Sequence, residues 1–184
     1  ILGKLLKVTT KASLIDLVSI AQKHIDDLIK PVTLSISKIY SKVTVNDISF
    51  SLPKKDMAVY ITLLSLIIDN YSEKNSELGF ISIDKMIERK FLNKFINFYE
   101  KLHSPYSVLV TKEKERISED QRMQQFYTND WLQETRSKIN RVLKTNLPPH
   151  LYAITQIITS GEYGYKCYGI PLQKDSIDLS SFDN

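Results

Sequence analysis

One stretch of the sequence, Trp131–Lys144, gathers side chains suited to nucleic-acid binding on one side of a predicted helix. At 100° per residue its apolar residues fall together. The opposite face carries Ser137, Asn140, Arg141 and Lys144, and Lys138 lies at the edge of that face. Lysine and arginine neutralise phosphates, and asparagine or arginine reads base edges. The pattern indicates a candidate nucleic-acid-binding face. An amphipathic helix whose polar face contacts only solvent fits the same pattern equally well.

A predicted β-hairpin follows this helix and supplies the rest of the candidate surface. Tyr152–Ile158 and Tyr165–Leu172 have the composition of strands, and Ser160–Gly164 has that of the turn between them. A helix-turn-helix followed by such a hairpin, or wing, offers one helix to the major groove and the wing to the backbone. The wing residues that we assign to nucleic-acid binding are Tyr163, Tyr165 and Lys166.

The elements that must position this surface are predicted from hydrophobic periodicity. Alternating apolar runs between Val32 and Leu52, with a turn at Asn46-Asp47, predict two or three short antiparallel strands. An almost wholly apolar helix follows from Pro53 to about Asp69, with Ser51 near enough to help cap it. A further helix is predicted near 82–102. We therefore expect an α+β fold, mainly helical and winged helix-turn-helix-like, with a small N-terminal antiparallel sheet and a C-terminal β-hairpin wing.

Two parts are expected along the chain: a helical segment or linker over residues 1–31 and the winged-helix-like domain over residues 32–184. Lys112–Arg122 mixes charges of both signs without apolar periodicity, which predicts a solvated insertion or loop at about residues 108–130. A compact winged helix joins its helices tightly, so this insertion argues against simple docking in a major groove.

The composition is that of an ordinary globular protein, with 184 residues, 42% hydrophobic residues and a net charge of +4. That charge permits an anionic partner without requiring one. The single Cys167 excludes an internal disulfide, and three histidines make a zinc site unexpected, so we expect no metal and no cofactor. Without a membrane-spanning stretch or signal peptide, we expect a cytoplasmic protein with no membrane partner. The start at Ile1 suggests an excised part of a longer chain.

No catalytic site is expected in this chain. His103 lies near Ser104 and Tyr106, but a histidine at a helix end more often caps the helix or faces water. Glu113 and Glu115 are two residues apart and do not share a helix face. Cys167 in a predicted strand is more typical of a buried small side chain than of a nucleophile.

Several segments resemble the OmpR-type winged helix. Thr33–Ile36, Val43–Asp56 and Tyr60–Leu64 are similar to its small sheet and first helix. Arg136–Leu143, with Gly164-Tyr165 in the hairpin, is similar to its recognition helix and wing. This resemblance implies a DNA-binding transcription regulator.

A second resemblance covers nearly the whole chain. Leu14–Gln22, Ser51–Tyr60 and Trp131–Leu143 leading to Tyr168–Leu172 resemble the C-terminal region of CRISPR-associated CARF-domain proteins, in the ring-nuclease branch. It implies type III CRISPR antiviral defence, in which cyclic oligoadenylate is bound and cleaved by a CARF half preceding Ile1. This chain would then be a homodimeric module that binds nucleic acid or regulates cyclic-oligoadenylate signalling. A purely structural dimerisation or lid domain remains the alternative.

Overall fold

The computed structural model describes residue 18 and residues 31–73, 77–104, 106–161 and 166–182. The chain divides into two compact units, Ile1–Pro31 and Val32–Asn184. The predicted N-terminal helical segment lies outside the described residues, apart from its residues 18 and 31. All elements below belong to the second unit.

Helices predominate in the described part of the second unit, and its strands are short. The helices are Lys54–Ile68 (α1), Ile83–Met86 (α2), Arg89–Lys101 (α3), Val108–Ser118 (α4), Asp120–Phe126 (α5), Asn129–Asn146 (α6) and Pro149–Thr155 (α7). The strands are Leu34–Ser37 (β1), Lys42–Val45 (β2), Ile48–Ser51 (β3), Ile81–Ser82 (β4), Ile158–Ser160 (β5), Cys167–Gly169 (β6) and Ile177–Asp178 (β7). The predicted α+β class is therefore confirmed.

The first sheet contains the predicted antiparallel strands and one more. β1, β2 and β3 are successive antiparallel neighbours, and β7 from the end of the chain adds to β1 in parallel. Asn46, in the predicted turn, adopts a left-handed backbone with φ of 51°. Its side-chain oxygen also accepts a hydrogen bond from the Thr33 N–H at 2.9 Å. The Asn46 side chain thus ties the end of β2 to the start of β1.

Helix α1 forms the centre of the core, as its apolar sequence predicts. Every residue from Met57 to Ile67 is buried, and α3 packs along it. The buried Tyr60 hydroxyl donates to the carbonyl of Thr155 at 2.8 Å, which ties α1 to α7. The expected cap from Ser51 is wrong: Pro53 precedes the helix without a side-chain cap, and Ser51 pairs with Lys42 in the sheet.

The helix expected near 82–102 is divided into β4, α2 and α3. Ile81 and Ser82 are extended because they pair with Tyr168 and Cys167 of β6. A distant strand therefore overrides the local helical pattern here. This pairing gives a second sheet in the order β4-β6-β5, which is compatible with a winged helix.

The segment at about 108–130, expected as a solvated insertion or loop, is largely helical and partly buried. α4 and α5 occupy most of it, and α4 buries Val110, Glu113 and Ile117. These positions follow an i, i+3, i+7 spacing, which places them on one face of the helix. The buried stripe was hidden because its middle member is a carboxylate.

The C-terminal hairpin is confirmed, but its first strand is shorter than predicted. The residues from Pro149 to Thr155 form α7, with proline at the first helical turn. β5 then pairs antiparallel with β6. No helix among the described residues is both long enough and apolar enough to cross a membrane.

Candidate nucleic-acid interface

Besides Lys138, helix α6 presents two exposed cations on its outer side, Arg141 and Lys144. It begins after Thr128, whose hydroxyl accepts from the Trp131 N–H at 3.3 Å, and it buries Leu132, Thr135, Ile139 and Leu143. Arg141 and Lys144 are exposed and stand three positions apart, so they are neighbours on the helix surface. Within the described part of the chain, neither has a carboxylate within 4.0 Å.

Lys138 lies on the same side, but its charge is already compensated. Its ammonium group forms an ion pair with Glu134 at 2.7 Å. That hydrogen bond and the negative charges of Glu134 and Asp56 raise the pKa of Lys138. A phosphate approaching Lys138 would therefore meet the carboxylate of Glu134, and Lys138 contributes less to an anion-binding surface than Arg141 does.

Asn140 does not lie on the outer face expected for it. It is half-buried, and its side-chain amide pairs with the backbone of Ile157 just before β5. The amide nitrogen donates to the Ile157 carbonyl at 2.9 Å, and the amide oxygen accepts the Ile157 N–H at 2.8 Å. With both ends of the amide engaged, Asn140 positions the hairpin and is not free to read a base edge.

Arg136 reinforces this connection from one turn earlier in α6. Its Nε donates to the same Ile157 carbonyl at 3.0 Å. Its guanidinium lies over the ring of Tyr168 in β6, 5.5 Å from the centroid. We call Arg136, Asn140 and Ile157 the hairpin clamp, because together they hold α6 against the start of the hairpin.

Of the remaining predicted site residues, two are exposed and two lie outside the part of the chain that the structure describes. Ser137 is exposed, and its hydroxyl donates to the Gln133 carbonyl at 2.8 Å within its own helix. Lys166 is exposed, and its carbonyl accepts from the Ile83 N–H at 3.3 Å, next to β6. Tyr163 and Tyr165 lie outside the described residues.

The sequence did not predict a buried carboxylate on α4. Glu113 accepts hydrogen bonds from Lys55 at 2.9 Å, from Arg116 at 2.8 Å and from the Tyr127 hydroxyl. Burial by itself would raise the pKa of Glu113, but these hydrogen bonds and the two positive charges outweigh burial and lower the pKa. We call Glu113, Lys55, Arg116 and Tyr127 the Glu113 cluster. It joins α4 to the first turn of α1.

The residues considered for catalysis lie in different surroundings. Glu115 is exposed while Glu113 is buried, so the two carboxylates face different surroundings. The ring of His103 lies 4.5 Å from that of Tyr99, and its Nδ1 is 3.5 Å from the Ser107 hydroxyl. Burial, helped by the charge of Lys54, lowers the pKa of His103.

Cys167 is buried in β6, in agreement with the predicted small buried side chain. Burial raises the pKa of its thiol, and the nearby charge of Glu73 acts in the same direction. A thiol kept protonated in this way is a poor nucleophile.

No protein-family model, curated protein or solved structure matches this chain.

Proposed function

We propose that this chain is a nucleic-acid-binding module that contacts the backbone of duplex DNA through Arg141 and Lys144. The observation that carries the proposal is the pair of exposed cations on α6, which have no acidic partner in the described residues. Phosphate contacts of this kind orient a protein on a duplex.

The hairpin clamp supports this assignment. Because Arg136 and Asn140 bind the backbone of Ile157, the outer face of α6 and the start of the hairpin are held in one arrangement. A surface that is ordered in advance loses less conformational entropy on binding. The exposed Lys166, which immediately precedes β6, provides a cation on the wing side.

The predicted mode of binding is backbone contact without strong sequence selection. Asn140, the side chain best suited to reading adenine, is occupied by Ile157. Each phosphate contact adds about −0.9 to the slope of log K against log salt concentration, so two contacts predict a slope of about −2. An OmpR-like transcription regulator would instead discriminate strongly between sequences.

The experiment is fluorescence anisotropy of the purified chain with a labelled random-sequence duplex from about 20 to about 200 mM salt. We expect binding that weakens with salt, and a smaller slope for Arg141→Ala and for Lys144→Ala. Lys112→Ala removes one exposed charge from α4 and serves as the matched control. Absence of binding at low salt, or slopes unchanged in both α6 variants, would overturn the proposal.

A role beside a CARF domain in type III CRISPR defence is the wider setting that we propose for this binding. Its support is the sequence resemblance of four segments: Leu14–Gln22, Ser51–Tyr60, Trp131–Leu143 and Tyr168–Leu172. If the setting is right, cyclic oligoadenylate added to the protein with its CARF half will change duplex affinity. An unchanged affinity would remove the regulatory link while leaving duplex binding itself intact.

The second candidate function is dimerisation by this chain without nucleic acid. Tyr106, Val108 and Leu109 before and within the first turn of α4 are 93%, 66% and 56% exposed, which is unusual for a cluster of apolar side chains. Sedimentation velocity of the wild type and Leu109→Lys separates the two functions. A dimer lost in Leu109→Lys, together with no duplex binding, would favour dimerisation.

A further inference from the structure

A cleft of about 380 Å³ lies where the end of α1 meets β4, α2 and α3. This volume falls within the roughly 300–1,000 Å³ of typical small-molecule sites. Three nearly buried apolar residues from three elements line it: Leu66, Ile81 and Phe91. The cleft shares no residue with the candidate nucleic-acid interface, so its role is a separate question.

Lysines are the commonest charged residues at the cleft. Lys85, Lys90 and Lys94 line it, against the acids Asp69 and Glu88. Lys90 and Lys94 are four positions apart on α3 and therefore share a face. Lys94 is paired with Asp69, whereas Lys90 is exposed and has no ion-pair partner among the described residues.

A buried carboxylate behind the cleft organises one of its walls. The side chain of Glu73 is 1% exposed and accepts from the Ser82 N–H at 2.9 Å and the Tyr71 hydroxyl at 2.8 Å. It also pairs with Lys85 at 3.2 Å, while the Lys85 side chain stays 48% exposed. The negative charge of Glu73 is thus compensated inside the protein by Lys85 and by two hydrogen-bond donors. The ion pair also holds the ammonium group of Lys85 near the cleft.

We propose that this cleft binds a small organic anion that combines a planar apolar group with one anionic group. The apolar group packs against Phe91, Ile81 and Leu66, where burial away from water is favourable. The anionic group reaches the ammonium group of Lys90, and Lys94 exchanges part of its contact with Asp69 for the ligand. This site is independent of nucleic-acid binding, so either proposal can fail without the other.

The probe for the test is 8-anilinonaphthalene-1-sulfonate, an aromatic sulfonate with the required chemistry. We would titrate it into the ¹⁵N-labelled chain and follow backbone amide shifts. The expected shifts are concentrated at the cleft, at Ser72, Lys85, Lys90 and Phe91. Lys90→Glu reverses one exposed charge and is expected to weaken binding about fivefold, whereas the matched reversal Lys112→Glu leaves the affinity unchanged.

The neutral analogue N-phenyl-1-naphthylamine tests the need for an anionic group. We expect it to bind several-fold more weakly than the sulfonate. Shifts centred on the exposed apolar side chains of Tyr106, Val108 and Leu109 would overturn the assignment to the cleft. Equal affinity of Lys90→Glu and the wild type, or of the neutral and anionic probes, would overturn the ligand class.

Discussion

Helices α4 and α6 both carry many charges, but Glu113 of α4 and the cations Arg141 and Lys144 of α6 are placed in opposite ways. On α4, Glu113 is buried and receives three hydrogen bonds from cationic and phenolic donors. On α6, Arg141 and Lys144 face water without an acidic partner among the described residues. A charge neutralised inside the fold contributes to its stability, whereas an exposed and unpaired charge is available to a ligand.

The hairpin clamp combines both situations, because a polar side chain bound inside the fold stands next to an exposed cation on the same helix. Asn140 belongs to the same helix as Arg141, and adjacent positions on a helix point in directions about 100° apart. One of these neighbours is therefore turned toward Ile157, while the other is exposed. The comparison teaches that residue type alone does not assign a polar side chain to binding or to structure.

The largest expected effect is on the Glu113 cluster. Glu113→Ala leaves Lys55 and the Tyr127 hydroxyl without their acceptor, which we expect to lower the free energy of unfolding by about 2–3 kcal/mol. Chemical denaturation followed by circular dichroism measures this change. Glu115→Ala, on the exposed side of α4, is the control and should change stability by less than about 0.5 kcal/mol. Equal effects of the two variants would contradict the contrast.

The next largest effect is expected at the hairpin clamp. Asn140→Ala removes two hydrogen bonds to Ile157 and should cost about 1–2 kcal/mol of stability. Ser137→Ala, on the exposed side of the same helix, should cost much less. If Asn140→Ala instead keeps full stability and changes the preferred duplex sequence, Asn140 reads bases and its role in the clamp is wrong.

Acidification should weaken the Glu113 cluster in a defined direction. The pKa of Glu113 is lower in the folded chain than its usual value, so the folded state binds fewer protons than the unfolded state. The stabilisation is therefore complete above the usual glutamate pKa and is lost as the pH falls through the folded value. Denaturation midpoints measured from about pH 6 to about pH 3.5 should fall less steeply for Glu113→Gln than for the wild type. If the midpoints of the two proteins fell equally steeply with pH, the pH dependence would not come from Glu113.

The smallest effect on stability is expected for the two exposed cations of α6. The double variant Arg141→Ala, Lys144→Ala should unfold within about 0.5 kcal/mol of the wild type, because no described contact is lost. Its duplex affinity should nevertheless fall, and its salt slope should become shallower by about 2, the contribution of two phosphate contacts. A strong loss of stability in this variant would show that the two cations are structural.

Much of the framework was predictable because it depends on local periodicity. The nearly continuous apolar run of α1 predicted the central helix, and the alternation between Leu34 and Phe50 predicted β1 to β3. The pairing of Ile81 with Tyr168 could not be foreseen, since it joins residues far apart in the chain. The buried face of α4 was missed for a related reason: only its distant donors make Glu113 a core residue.

The candidate site was likewise predictable only as far as local helical spacing determines it. The helical spacing placed Arg141 and Lys144 opposite the buried stripe, and the structure leaves both exposed. It also placed Asn140 there, although Asn140 lies close enough to Ile157 to bind its backbone. Nor could spacing show that the negative charge of Asp56 on α1 acts on Lys138.

By itself, the sequence determined where α1 and β1 to β3 bury apolar side chains, because burial there follows from the order of apolar and polar residues within each element. Only the tertiary structure decided which polar side chains form hydrogen bonds or ion pairs inside the protein. Glu113 meets Lys55 from 58 positions away, and Asn140 meets Ile157 from 17 positions away. Hydrogen bonds and ion pairs act over a few ångströms, so their partners exist only after distant segments have been brought together.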